Sequence, residues 1–251
     1  MHLILTGATG LVGSAALAHI LSLPAGSVSH LSILSRRPVP MAENKPNVTV
    51  IEHRDFSQYP SELLDKLKGA SGCIWAQGIS QSEVSKEEYI KITLDYPLAA
   101  AKAFSGLSNS FKFVYVSGEG ATTNPGFLTP LFGTVKGQAE EALLKLSKDV
   151  STLKPYSVRP AFVDAHSHPE VLKAISSRPN QQTFQRKVLN NGLGPVFRCL
   201  YPGMVSPTPD LARFLTDLAM GDGEPLHGDG ISGEGRTVSN KAFRRLAKVG
   251  A

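Results

Sequence analysis

The apolar run from Met1 to Thr6 leads directly into Gly7-Ala8-Thr9-Gly10-Leu11-Val12-Gly13-Ser14, and the two halves together constrain the chain more than any other stretch. A buried strand that ends at Thr6 and turns at once into a helix near Leu11 satisfies both. Gly7 takes the backbone angles of the turn, Gly10 carries no side chain to block a pyrophosphate, and Gly13 lets helix and strand pack closely. Thr9, Leu11 and Val12 complete the turn. The free N–H groups and the positive end of the helix dipole then face a bound anion. A glycine string alone is a weak signal; strand, glycines and helix in this order form the dinucleotide-binding arrangement.

The rest of the chain alternates in the same sense. Leu11 to Leu23 has helical spacing and stops before Pro24, and Ser29 to Leu34 reads as a second strand. Val48 to Glu52, Gly72 to Ala76, Phe111 to Val116 and Tyr156 to Val158 read as four more. Between them fall helices at Ser61 to Leu67, at Ser85 to Phe104 with a kink or break at Pro97, and at Phe132 to Leu146. Strands alternating with helices predict an α/β fold, a doubly wound parallel Rossmann sheet, with residues 1–251 forming one domain. Residues 164–251 read as a small C-terminal substrate-covering region, with helices at Asp210 to Met220, entered through Pro209, and at Asn240 to Lys248. Gly228-Asp229-Gly230-Ile231-Ser232-Gly233 matches the glycine pattern formally. It follows no clear strand and precedes no helix, so it reads as a loop.

Composition excludes several classes. A net charge of +5 suits an anionic ligand, but the basic residues are scattered without interleaved aromatics, against nucleic acid as a partner. No apolar run reaches the length of a membrane span. Cys73 and Cys199 lie far apart, which suggests reduced thiols rather than a disulfide framework. The chain opens on a core strand, so no signal peptide is expected; the expected location is cytoplasmic and the sequon at Asn47 unmodified. Oligomeric state is not legible.

The second strand ends in Ser35-Arg36-Arg37, where an NAD-binding fold carries an acid for the ribose 2′-hydroxyl. Two guanidiniums there favour a 2′-phosphate by charge and bidentate hydrogen bonding, making NADP the expected cofactor. Asp55, just past the third strand, has two open readings: an acceptor for the adenine amino group, or a cap for the helix near Ser61. Gly78, past the fourth strand, lets the chain run close beneath the cofactor. His166-Ser167-His168 and Asp164 are too few for a metal site without a ligand from elsewhere, so no metal is expected. Ser117 lacks the Gly-x-Ser-x-Gly elbow of a hydrolase.

With these residues in place, roughly residues 1–165 resemble the atypical short-chain dehydrogenases/reductases, in particular the small Tat-interacting-oxidoreductase type and its epimerase-like fungal relatives. The resemblance rests on Thr6 to Gly13, Ser117 after the fifth strand, Lys136-Gly137 on the next helix, and Arg159-Pro160. It implies that Ser117 orients the substrate oxygen, that Lys136 holds the nicotinamide ribose, and that Arg159 joins the cofactor-binding set. In that superfamily a tyrosine four residues before the lysine gives or takes the proton; here that position is Phe132. A phenyl ring has no proton to give.

Three accounts of this departure stay open. Another group, Glu119, His166 or His168, supplies the proton to a small organic carbonyl or alcohol in an NADP-dependent oxidoreductase. The chemistry is redox-neutral: isomerisation, dehydration or cyclisation. Or the protein is a non-catalytic sensor of the NADP redox state.

Overall fold

The computed structural model describes residues 1–176 and 194–250. β1 (His2–Thr6) lies in the interior of an eight-stranded sheet, hydrogen-bonded to β2 (His30–Ser35) on one side and β4 (Ala70–Trp75) on the other. β3 (Val48–Glu52), β5 (Phe111–Val116), β6 (Leu153–Val158), β9 (Ile231–Ser232) and β10 (Thr237–Val238) complete the order 3-2-1-4-5-6-10-9. Every pairing is parallel except that of β9 with β10. The expected α/β doubly wound parallel sheet is what the chain forms.

Side-chain alternation along the strands explains why both faces are covered. Leu3, Leu5, Ile74 and Val114 point to one face; Ile4, Cys73, Trp75, Phe113 and Tyr115 point to the other, and all are buried. The first face packs on α1 (Leu11–Ser22), α8 (Thr208–Met220) and α9 (Asn240–Leu246) through Leu17, Leu211, Leu215 and Phe243. The second packs on α2 (Ser61–Lys66), α4 (Tyr96–Phe104) and α5 (Leu131–Asp149) through Leu63, Phe104, Ala139 and Leu143. α8 lies along α1, so the C-terminal quarter closes the core as well as standing beside the strand ends. α6 (Pro169–Ser176), α7 (Gly194–Leu200) and a two-stranded parallel sheet of β7 (Phe162–Asp164) with β8 (Val205–Pro207) make up the remainder. Part of the expected covering stretch, residues 177–193, lies outside the described residues.

Three local differences from the sequence reading have physical causes. The helix around Pro97 is not broken: α3 (Lys86–Ile90) continues through a π-helical stretch, Lys91–Asp95, into α4. Pro97 has no N–H to offer the Thr93 carbonyl, and the Tyr115 hydroxyl donates to that carbonyl instead, at 3.0 Å. β6 starts at Leu153, ahead of Pro155; β10 pairs only with Ser157 and Val158, so the proline sits where no ladder partner is needed on that side. The second glycine string is a hairpin rather than a plain loop, with Gly228, Gly230 and Gly233 at positive φ around β9.

The β1–α1 turn is the tightest point of the fold. Gly7 has φ +69°, and a Cβ on Gly13 would stand 2.1 Å from the Gly7 carbonyl oxygen. A Gly13→Ala variant is expected to lose about 3 kcal/mol of stability, since backbone rather than a flexible side chain must yield. Urea unfolding monitored by circular dichroism measures this; an unchanged midpoint would show that helix and strand can part freely.

Candidate functional site

The sheet register gathers the candidate residues on one edge. Thr6 is level with Trp75, Trp75 with Tyr115, and Val116 with Val158. The segments that leave these strands (Gly7 onward, Ala76 onward, Ser117 onward, Arg159 onward) therefore emerge side by side. β1 and β4 are also where the strand order reverses, the crevice in which open α/β sheets take ligands.

At this crevice α1 presents a bare N-terminus. Its N-cap is Gly10, with no side-chain cap, and no acidic residue occupies its first turn. The Gly10 N–H donates to the Gly7 carbonyl at 2.7 Å, which closes the turn and sets the helix axis toward the edge. The wholly buried Thr6 hydroxyl has no hydrogen-bond partner among the described residues. Arg36 and Arg37 are exposed beyond β2. The Ser35 hydroxyl donates to the Arg37 carbonyl at 2.7 Å and accepts from its N–H at 3.2 Å, so a small turn fixes the pair. Among the described residues neither arginine has an ion-pair partner. These features fit a dinucleotide: uncapped N–H groups for a pyrophosphate and free guanidiniums for a further phosphate.

Gly78 lies in the segment after β4, and an added Cβ would meet nothing within 4 Å. Packing does not demand glycine there. Asp55 is exposed, and its Oδ1 accepts from the Ser57 N–H at 3.0 Å and hydroxyl at 2.6 Å, holding the carboxyl below the usual range. α2 has Pro60 as its N-cap, so the capping alternative for Asp55 is overturned.

Between β5 and β6 the structure joins groups that the sequence left separate. Ser117, 2 % exposed, donates its hydroxyl proton to Glu140 of α5. Arg159 grips the same carboxylate from the far side: its Nε lies 2.9 and 3.1 Å from the two oxygens, and Nη2 bonds to Oε2. In this structure the Ser117 hydroxyl and the Arg159 fork both face Glu140, a partner that the sequence reading did not name for either. The physical reason is that a buried carboxylate must be paired, and these two donors pair it.

Lys136, one turn before Glu140, donates to the Ser117 carbonyl at 2.5 Å and lies beside Gly118. Burial pushes its pKa down to about 8, with the Glu140 charge opposing the shift. Phe132 is half-buried one turn earlier; its N–H donates to Gln81 Oε1 at 2.8 Å, so Gln81 supplies the first-turn cap that Pro130 cannot. Gly133 and Gly137 let the 118–122 backbone lie against α5, where a Cβ on Gly137 would stand 1.9 Å from the Thr122 carbonyl oxygen.

Of the other proposed proton donors, the side chains of Glu119 and His168 have partners elsewhere, and His166 is exposed. Glu119 Oε2 accepts from the Asn240 N–H at 2.9 Å and so starts α9. His166 is exposed after β7, and its backbone N–H donates to Asp164 Oδ1 at 3.1 Å. His168 is buried between Thr208, at 3.0 Å, and Glu170, at 3.2 Å. None of the three hydrogen-bonds Ser117 or Lys136. Asp164 takes up Arg198 at 3.0 Å. Among the described residues no group of three His, Cys, Asp or Glu could hold a metal ion, and no helix is long and apolar enough to cross a membrane.

Sequence reasoning misses Glu140, Gln81 and Gly133; of the two glycines against the 118–122 backbone it marks only Gly137. The available signal was spacing: Glu140 follows Lys136 by one turn and stands among Ala139 and Leu143 on the buried face.

No family model matches the chain. The leucinostatins biosynthesis cluster protein T of Purpureocillium lilacinum is 35% identical, over 99% of this chain and 96% of its own length. The botcinic acid biosynthesis cluster B protein 16 of Botryotinia fuckeliana is 45% identical over 59% of this chain and 96% of its own. Among solved structures, dTDP-glucose 4,6-dehydratase from Streptomyces venezuelae, determined with NAD bound, superposes with a TM-score of 0.62 at 14% identity, covering 99% of this chain and 80% of that one. Solved short-chain dehydrogenases/reductases share the fold as well.

Two outcomes follow from the charge cluster. Glu140→Ala strands the Arg159 guanidinium and is expected to cost about 3 kcal/mol in chemical unfolding; a change within error would mean that solvent takes over the arginine. Lys136, like a paired carboxylate, has a folded-state pKa below its unfolded one, here because burial disfavours the ammonium. Between about pH 8 and its ordinary 10.5 the unfolded chain holds a proton that the folded protein has shed, so this group's contribution to stability rises with pH across that window. The unfolding free energy of the native protein minus that of Lys136→Met should therefore climb from pH 8 to pH 10, and a flat difference would refute the depressed pKa.

Proposed function

We propose that the chain, which belongs to one family with the leucinostatins biosynthesis cluster protein T and shares its fold with solved short-chain dehydrogenases/reductases, is an atypical member of that superfamily and an NADP(H)-dependent oxidoreductase acting on a small organic carbonyl or alcohol in a secondary-metabolite route. The observation that carries the cofactor reading is the uncapped α1 N-terminus together with the unpaired Arg36 and Arg37 at the end of β2. Gly7, Thr9, Gly10, Leu11, Val12 and Gly13 would hold the pyrophosphate, and the two arginines the 2′-phosphate. Gly78 leaves room for the cofactor, and Asp55 stands ready for the adenine amino group. When bound, the nicotinamide supplies or accepts the hydride.

The proton is the residues' share of the chemistry. Phe132 has none, Glu119 and His168 are engaged elsewhere, and His166 is exposed beyond β7 with no hydrogen bond to Ser117 or Lys136. Lys136 is the titratable group one turn from Phe132, and a pKa of about 8 lets its ammonium give up a proton near neutral pH. In this reading Nζ, anchored on the Ser117 carbonyl, protonates the substrate oxygen during reduction and takes the proton back in oxidation. The expected partners are a small-molecule substrate only, and the expected compartment is the cytosol, in keeping with free Cys73 and Cys199.

One observation favours a second reading, redox-neutral isomerisation, dehydration or cyclisation. The Ser117 hydroxyl is already spent on Glu140, which removes a donor that carbonyl reduction ordinarily exploits. Nicotinamide absorbance decides between them: net oxidation or reduction during turnover supports the first, product without absorbance change the second. A redox sensor would instead show neither, with clearly different affinities for NADPH and NADP.

Fluorescence titration tests the arginines. NADPH is expected to bind at least about tenfold more tightly than NADH, and Arg36→Ala with Arg37→Ala to abolish the difference, since each charge-assisted hydrogen bond contributes about 1.5–3 kcal/mol. Equal affinities in the native protein would reject the 2′-phosphate assignment.

A further inference from the structure

The chain that leaves β4 is pinned at two points, one at each end of the proposed cofactor seat. At the first, the Ala76–Gln77 peptide lies against the glycine turn: a Cβ on Gly7 would stand 2.3 Å from the Ala76 carbonyl oxygen and 2.8 Å from the Gln77 nitrogen. At the second, Gln81 Oε1 accepts from the Phe132 N–H at 2.8 Å, across 51 positions of sequence and one helical turn ahead of Lys136. The segment from Ala76 to Gln81 therefore runs from the pyrophosphate end of the seat to the start of the helix that carries Lys136. Between the two pins, a Cβ on Gly78 would meet nothing within 4 Å, so packing does not fix the segment at that point.

The pins differ in kind. The first is backbone against backbone at the end of β4, a strand paired on both sides. The second is a single hydrogen bond, prepared locally by each partner. The Glu83 N–H donates to the Ser80 carbonyl at 3.0 Å, which puts Gln81 and Ser82 at the two central positions of a turn, and the Ser80 and Ser82 hydroxyls bond each other at 2.8 Å. On α5, the Phe132 N–H belongs to the first turn and has no acceptor within the helix, while Pro130 brings no capping side chain. Gln81 is exposed, so water can take over both partners when the bond opens. Such a bond closes a crevice without locking it.

We propose that Gln81 on Phe132 is a clasp: it joins the β4 exit to α5 across the crevice and opens each time a nicotinamide dinucleotide enters or leaves. The proposal rests on the reading of this crevice as the cofactor site, and it adds how exchange is gated. A clasp slows entry and exit alike. Its loss therefore speeds both and leaves the affinity nearly as it was, whereas loss of a direct contact with the cofactor would speed exit alone.

Stopped-flow NADPH fluorescence on the full chain tests this with two variants. Gln81→Leu removes the acceptor; association and dissociation should both become about two- to tenfold faster, with Kd changed by less than about twofold, the range expected for one neutral hydrogen bond. Gln81→Glu keeps an acceptor oxygen beside the positive end of α5 and should exchange NADPH at the native rate or more slowly. Hydrogen exchange at the Phe132 amide reads the clasp without cofactor: faster in Gln81→Leu, native in Gln81→Glu, with cooperative unfolding showing both variants folded. Native rates in Gln81→Leu, equal acceleration in both variants, or faster dissociation with unchanged association overturns the clasp. A native protein that binds no NADPH is a separate failure, which removes the dinucleotide reading and this proposal with it.

Discussion

The approach of Gly13 to the Gly7 carbonyl is the contact on which the rest of the structure is built. Only two residues without side chains allow α1 to leave β1 at that distance, and the distance aims the helix N-terminus at the sheet edge. Once α1 is fixed there, α8 packs along it and β2 and β4 flank β1. The strand order reverses at the same place, and four chain segments with chemical groups emerge beside the bare helix end.

A second constraint lies between β5, β6 and α5. Glu140 brings a carboxylate into the interior, and Ser117 and Arg159 are drawn to it from the ends of two neighbouring strands. That arrangement has a chemical consequence. It occupies the serine hydroxyl and leaves the lysine one turn earlier desolvated but still near the opposite charge, with its pKa lowered to about 8. The phenyl ring at 132 and the engaged hydroxyl at 117 lie on the two sides of this lysine.

Much of the fold was legible from period and punctuation. The β1–α1 turn, the first five strands and the helix starting at Ser85 follow from apolar alternation, glycines and a serine cap. Legibility failed where a long-range partner altered a local rule. Pro97 reads as a kink or a break; the helix is irregular there, with a π-helical stretch at Lys91–Asp95, but it does not break, because the Tyr115 hydroxyl from a distant strand takes the carbonyl that the proline cannot serve. Pro155 reads as the wrong side of a strand boundary, yet it is admitted because β10 stops short of it. The glycines from Gly228 to Gly233 look like loop residues until β10 offers β9 a partner and β6 offers β10 one.

The same division holds for the site. The sequence alone determined the glycine turn, the arginine pair without an accompanying acid, and the phenyl ring where a phenol is usual, because each is a matter of which residue stands at a fixed spacing from a local signal. Only the tertiary structure decided what Ser117, Arg159, Glu119 and His168 face, since a polar side chain in the interior bonds to whichever partner the packing brings within 3 Å, and those partners came from 23, 19, 121 and 40 positions away.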